Sequence, residues 1–116
     1  MLNAKRLDAT FFALSDPTRR AILSRLARGE ATVAELTAPF AISQPAISRH
    51  LKVLEGAGLI RRGRDAQRRP RRLDPKSLLE ANAWIERYRK SWERTYQRLD
   101  AVLADEMKSA GQSTKT

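Results

Sequence analysis

Residues 43–60, SQPAISRHLKVLEGAGLI, constrain the chain more than any other stretch, because a helix start, a helix stop and a strand start follow in immediate succession. Ser43 suits an N-cap, where its hydroxyl accepts a hydrogen bond from an otherwise unpaired amide of the first turn. Pro45 falls in that turn, where its missing N–H costs nothing. Ile47, Leu51, Leu54 and Gly58 recur at i, i+4, i+7 and i+11, a single apolar stripe. Gln44, Ser48, Arg49 and Lys52 occupy the opposite face. Side chains of those types reach base edges and phosphates in a DNA groove. Gly56 and Gly58 stop the helix, since glycine tolerates the left-handed conformation of a C-cap. The stretch reads as a recognition helix.

The residues before it supply the scaffold such a helix needs. Residues 4–15 predict a first helix with Leu7, Phe11 and Leu14 on one face and Phe12 beside it. The adjacent phenylalanines fit either core packing or a subunit interface, since interfaces are enriched in aromatics. Asp16-Pro17 opens a second helix over 17–28, with Asp as N-cap and Pro at the first helical position. Ala21, Ile22, Leu23, Leu26 and Ala27 form its buried side, Gly29 ends it, and Arg19, Arg20, Arg25 and Arg28 are expected to stay exposed. Thr32-Val33-Ala34-Glu35 is a capping box, in which threonine and glutamate satisfy each other's backbone amides. It starts a short helix over 32–39, with Val33, Leu36 and Phe40 inward and Pro39 as the break. Two helices joined by a short turn make a helix-turn-helix.

The residues after it predict a hairpin over 59–73: a strand at 59–62, a turn at 63–67 and a returning strand at 68–73. Pro70 cannot donate to a ladder, which places it at an edge or at the open side. Arginines stand at 61, 62, 64, 68, 69, 71 and 72, against one acid, Asp65. Seven arginines less one aspartate leave +6 of the chain's net +10 in this wing. A charge run of this kind is commonly a solvated surface. Between two strand-like segments beside a recognition helix, it fits contact with phosphates or the minor groove.

Asp74-Pro75 repeats the helix-starting pair, and a long helix is predicted over 75–107. Ile85, Tyr88, Trp92, Thr95, Leu99 and Val102 recur at alternating steps of three and four, a coiled-coil-like seam. Trp84, Tyr96 and Leu103 widen it. A helix of thirty-odd residues is roughly 45 Å long, more than a small domain covers, so the surplus calls for a second copy. Residues 109–116 are polar and expected to form a disordered tail beyond a single domain of residues 1–108.

Composition narrows the functional classes. An excess of 23 Lys and Arg over 13 Asp and Glu favours a polyanionic partner. The absence of cysteine rules out disulfides, thiolate metal sites and a cysteine nucleophile. No apolar run approaches the roughly 18 residues of a membrane span, and the N-terminal residues do not resemble a signal peptide. The expected location is the cytoplasm, on the nucleoid. No acid pair, nucleophile–base set or glycine-rich phosphate loop points to an enzyme.

The order helix, helix, helix-turn-helix, wing, long helix resembles the ArsR family of bacterial winged-helix repressors. The resemblance rests on SDPTRRAIL at 15–23, ATVAELT at 31–37, SQPAISRHLKVLEGAGLI at 43–60 and RRLDP at 71–75. It implies a homodimer built on the first and last helices, a partly palindromic operator, repression, and an effector that relieves it. The effector is where this sequence departs. Many relatives sense metals with cysteines in the helix matching residues 32–38, which here reads TVAELTA. Others use histidine and carboxylate pairs on the last helix, which here has no histidine. Its acids alternate with arginines and read as solvated ion pairs. His50 is the one histidine, and a lone histidine binds a transition metal weakly. No metal or other cofactor is therefore expected, and the effector stays unidentified.

The fold class that follows is mainly α with a small β-hairpin: a winged helix-turn-helix with a long C-terminal helix for dimerisation. The function that follows is a sequence-specific double-stranded DNA-binding transcriptional regulator, a dimeric repressor. Gln44 suits adenine, Arg49 suits guanine, and Ser48 suits base or phosphate. Ser43, Lys52 and His50 suit phosphates, although His50 also fits a role buttressing the helix. Arg64, Arg68 and Arg69 suit the backbone or minor groove. Leu7, Phe11, Phe12, Trp84, Ile85, Tyr88, Trp92, Tyr96 and Leu99 form the expected dimer interface. The alternative is a sequence-tolerant nucleoid-type DNA-binding protein. The mixed polar face at Gln44, Ser48 and Arg49 weighs against it, since pure backbone binding favours lysine and arginine there.

Overall fold

The computed structural model describes residues 4–64 and 67–113, with side chains to residue 110. Asp65, the wing's one acid, lies outside the described residues, as do 114–116. The elements run α1 (Ala4–Leu14), α2 (Pro17–Leu26), α3 (Val33–Thr37), α4 (Gln44–Gly56), β1 (Ile60–Arg62), β2 (Arg71–Leu73) and α5 (Lys76–Ser113). This is a mainly helical winged helix-turn-helix with a two-stranded hairpin and a long last helix.

Capping chemistry sets where the helices begin. The Asp16 carboxylate accepts from the Arg19 amide at 3.0 Å, ahead of Pro17 at N1. Thr32 and Glu35 make the full capping box of α3. Ser43 Oγ accepts from the Ala46 amide at 3.3 Å at the head of α4. The ends come earlier than the residue pattern suggests in two helices. α2 stops at Leu26, where Gly29 turns with φ +144°, and α3 stops at Thr37, two residues before Pro39.

The core belongs to the helix-turn-helix and the wing. Ile22, Leu36, Ile47, Leu51, Leu54, Leu59 and Ile60 are fully buried, so the apolar stripe of α4 faces inward. Phe40 and Val33 pack against this cluster as half-buried partners. Ala21 and Ala27, expected on the buried side of α2, are exposed, because Ile22, Leu23 and Leu26 complete that face. In α1 the buried positions are Thr10 and Ala13, while Leu7, Phe11 and Leu14 are half-buried and Phe12 is 63% exposed.

The wing is short at its base and tied to the preceding loop. β1 and β2 pair antiparallel with Ile60 opposite Leu73, Arg61 opposite Arg72 and Arg62 opposite Arg71. Ala31 bridges to Arg71 from the α2–α3 loop: the Ala31 amide donates to the Arg71 carbonyl at 3.1 Å and the Arg71 amide to the Ala31 carbonyl at 2.7 Å. Pro70 precedes β2, and its carbonyl accepts from the Gly63 amide at 2.8 Å; its missing N–H falls at the open side of the hairpin, one residue beyond the paired strands.

Where one domain was expected, the chain divides into two compact units, Met1–Asn82 and Ala83–Thr116. The described residues of the second, 83–113, are helix, whose backbone bonds are satisfied by its own turns. Residues 109–113, expected in a disordered tail, continue α5. Within this unit Tyr88, Trp92, Tyr96, Leu99 and Val102 are each about half exposed. Trp84 stacks at a tilt on Tyr88 with centroids 4.5 Å apart, and Trp92 on Tyr96 at 5.8 Å. Arg89 bridges Glu86 and Glu93 at 3.0 and 2.8 Å on the same helix, an i, i+3 and i, i+4 ladder.

Candidate nucleic-acid interface

The α4 stripe that faces the core dictates which side chains face solvent. With Ile47, Leu51 and Leu54 buried, Gln44, Arg49 and Lys52 are exposed and Ser48 is half-exposed. Ser43 is exposed at the helix head, and its oxygen lone pair is engaged in the cap, leaving the O–H to donate outward. A cleft of about 420 Å³ separates this face from the wing. Gln44, Ser48 and Lys52 line its helix side, and Arg62, Arg68 and Arg69 its wing side. Arg64 is exposed at the wing tip but does not line the cleft.

Two of the arginines read from sequence as surface charge are structural. Arg71 closes the cleft floor with its side chain 8% exposed. Its Nε donates to Glu55 Oε1 at 2.7 Å, and its Nη1 donates to the Arg69 carbonyl. Arg62 approaches the same carboxylate at 3.5 Å. Leaving a buried guanidinium without such a partner costs roughly 1–3 kcal/mol, the desolvation penalty of an unsatisfied donor. Arg69 adopts φ +46°, a left-handed turn that directs its carbonyl to Arg71 and leaves its side chain exposed.

Arg19 is the second correction. Expected on a solvated face, it is 8% exposed, with Nε donating to the Ala13 carbonyl at 2.7 Å and Nη2 to the Phe12 carbonyl at 2.9 Å. Its Nη1 lies 3.3 Å from His50 Nδ1. Arginine only donates, so in this contact Nδ1 is the acceptor and Nε2 is left as the ring's donor. His50 thus buttresses α4 through one nitrogen and keeps a donor on the other. Asp16 Oδ2 stands 3.9 Å from the same Nδ1. The hydrogen bond from the Arg19 amide holds the Asp16 carboxyl below its ordinary range, and the Arg19 guanidinium charge acts in the same direction. Glu35 and Asp74 are lowered chiefly by the backbone amides of Thr32 and Lys76.

The signal for Arg71 and Arg19 was weak in the sequence. A basic run has no internal mark for the member whose partner is sixteen residues away, and Arg19 is one of two adjacent arginines. Among the described residues, no cluster of three or more His, Cys, Asp or Glu side chains is placed to hold a metal ion. Among them no helix is long and apolar enough to cross a membrane. What the arrangement offers is hydrogen-bond donors and acceptors on one helix face and guanidinium groups across a cleft.

Comparison with known proteins gives the same answer from sequence and from shape. Residues 16–62 match the family described as "Bacterial regulatory protein, arsR family". The chain is 42% identical over 81 residues to the HTH-type transcriptional regulator Rv2034 of Mycobacterium tuberculosis, covering 70% of this chain and 76% of that protein. It is 43% identical over 61 residues to the transcriptional repressor SdpR of Bacillus subtilis, covering 53% of this chain and 68% of that one. A crystal structure of an ArsR family transcriptional regulator superposes with a TM-score of 0.74 at 37% identity, over 79% of this chain and 95% of its own.

Proposed function

The chain belongs to the ArsR family of bacterial regulatory proteins, and on that premise we propose that it is a dimeric repressor that reads a partly palindromic operator. It is a DNA-binding transcriptional regulator of the winged helix-turn-helix type. In the proposed complex α4 enters the major groove. Gln44 and Arg49 read base edges, Ser48 takes base or phosphate, and Ser43, Lys52 and His50 Nε2 hold phosphates. Arg64, Arg68 and Arg69 meet the backbone or the minor groove. Arg71 takes no part in contact; it fixes where the others stand.

The observation that carries this reading is the cleft itself: a mixed polar helix face on one wall and arginines on the other. A second copy of the chain supplies the symmetry of a two-half-site operator, whose centres lie about 34 Å apart. The half-exposed aromatic stripe of α5, together with Leu7, Phe11 and Phe12 of α1, supports burial against that copy. In this reading the protein works in the cytoplasm on chromosomal DNA, without enzymatic chemistry, and its effector is unidentified.

The decisive experiment is selection of bound DNA from a random pool. A recovered motif with two inverted half-sites is the expected result. An affinity for random DNA equal to that for any selected sequence overturns the reading.

A further inference from the structure

Arg19 is a buried arginine that joins three helices. It sits in the first turn of α2, yet its bonds run outward to two other helices: to the Phe12 and Ala13 carbonyls at the end of α1, and to His50 in the middle of α4. Its guanidinium carbon lies 5.1 Å from the centroid of the Phe12 ring. Phe12 is exposed, whereas His50 is part of the recognition helix, next to the exposed Arg49. One rigid planar group therefore touches an outward-facing aromatic on one side and the reading helix on the other.

We propose that Arg19 is a positioning residue that relays the packing of Phe12 on α1 to the recognition helix through His50. The proposal rests on the dimer reading above, in which a second copy covers Phe12. Carbonyls in the last turn of a helix have no intrahelical partner; Arg19 donates to that of Ala13, and it shares that of Phe12 with the amide and hydroxyl of Ser15. The guanidinium fork is planar and its donors are fixed relative to one another. A shift that reseats the Phe12 ring or carbonyl thus shifts the donor that holds His50 Nδ1. Covering Phe12 also removes water from the ring–guanidinium contact, which strengthens it. Such a link makes dimer packing and operator affinity mutually dependent, as any coupling between two sites must be. The physical element with two arrangements is the Arg19–His50 bond, made or released.

The test is a double-mutant cycle on the full chain with Phe12→Ala, Arg19→Lys and both together. Lysine keeps the charge and cannot span two carbonyls and an imidazole. Two readouts are taken at concentrations where sedimentation shows the dimer: the ratio of selected-operator to random-DNA affinity, and the ring nitrogen resonances of His50. Because His50 is the one histidine of the sequence, its signals need no assignment. With Arg19 present, Phe12→Ala is expected to shift the His50 resonances and lower the affinity ratio at least tenfold. In the Arg19→Lys background, Phe12→Ala is expected to leave the resonances in place and change the ratio by less than twofold. Independent, multiplying effects of the two substitutions overturn the relay. If Arg19→Lys does not fold, native protein against Phe12→Ala decides alone: unmoved His50 resonances overturn the relay. A native protein that sediments as a monomer, free and on DNA, removes the dimer reading and the relay with it. A dimer with unmoved His50 signals removes the relay only.

Discussion

Glu55 Oε1 sits 2.7 Å from Arg71 Nε, so the recognition helix and the wing are joined by an ion pair whose arginine side chain is almost fully buried. Among the described residues, Glu55→Ala leaves that guanidinium with the Arg69 carbonyl as its hydrogen-bond acceptor and no carboxylate. We expect a loss of roughly 1–3 kcal/mol of folding stability, measured by urea unfolding with an unchanged m-value. Glu55→Gln keeps one acceptor and is expected to lose less. Equal stability of Glu55→Ala and the native chain would show that the pair contributes nothing.

Base reading and phosphate binding are expected to separate. Gln44→Ala or Arg49→Ala should relax preference at one operator position by about 1–3 kcal/mol. Replacing Arg68 and Arg69 together should weaken all DNA alike and flatten the slope of log affinity against log salt by about one to two units. Fluorescence anisotropy titrations at several salt concentrations check both. If the wing variant alters base preference and the helix variants do not, the roles are reversed.

Gly58 resists substitution for two independent reasons. Its φ is +74°, and a Cβ there would stand 2.8 Å from Ser77 Oγ. Gly58→Ala is expected to cost about 1–2 kcal/mol from the left-handed backbone alone, with the Ser77 contact adding to it. Thermal melting of Gly58→Ala with and without Ser77→Gly separates the two: relief by the second substitution measures the contact.

If the α5 stripe is the proposed dimer interface, the oligomeric state is sensitive to single aromatics. Trp92→Ala is expected to weaken the dimer by on the order of 2 kcal/mol, about thirtyfold in Kd. Sedimentation equilibrium reads this directly. An unchanged dimer would place the interface elsewhere than on this stripe.

Acid sensitivity follows from the caps. Asp16 has a folded-state pKa below its unfolded value, chiefly because its carboxylate accepts the Arg19 amide. A group lowered in this way contributes stability that is present above its unfolded pKa and lost as pH falls through its folded one. Stability should therefore decline below about pH 4. Asp16→Asn still caps α2, and its urea midpoint should fall less steeply with pH over that window. A parallel decline in both chains would assign the acid loss to Glu35 and Asp74, which are lowered by amide bonds of the same kind.

Local signals carried most of the fold. Asp16-Pro17, the Thr32–Glu35 box and Ser43 mark helix starts because capping is a contact within three residues, and all three caps form as their spacing requires. Periodicity found the inward face of α4 for the same reason. What it missed depends on distant partners. Arg19 is buried because helix α1 ends beside it, and Arg71 because Glu55 lies across the turn from it. Neither partner is implied by the residues flanking the arginine. The end of α5 went unread because lysine, glutamine and serine near a terminus suit a helix end and a coil alike.

The Ala31–Arg71 bridge divides the wing into a part that is fixed and a part that is free to differ. Its base is pinned three ways, by Ala31, by Glu55 and by the Gly63–Pro70 hydrogen bond. Strand alternation makes the base intolerant of length change, since a slip of one residue would turn Arg71 outward and Arg72 in. The tip between Gly63 and Pro70 is under no such rule, because lengthening a loop costs only slowly more entropy. Insertions and charge changes there would alter reach along the DNA backbone while leaving the reading helix in place. Descendants of this chain can acquire new operators by editing the tip and the α4 face separately, two mutational targets kept apart by one buried arginine.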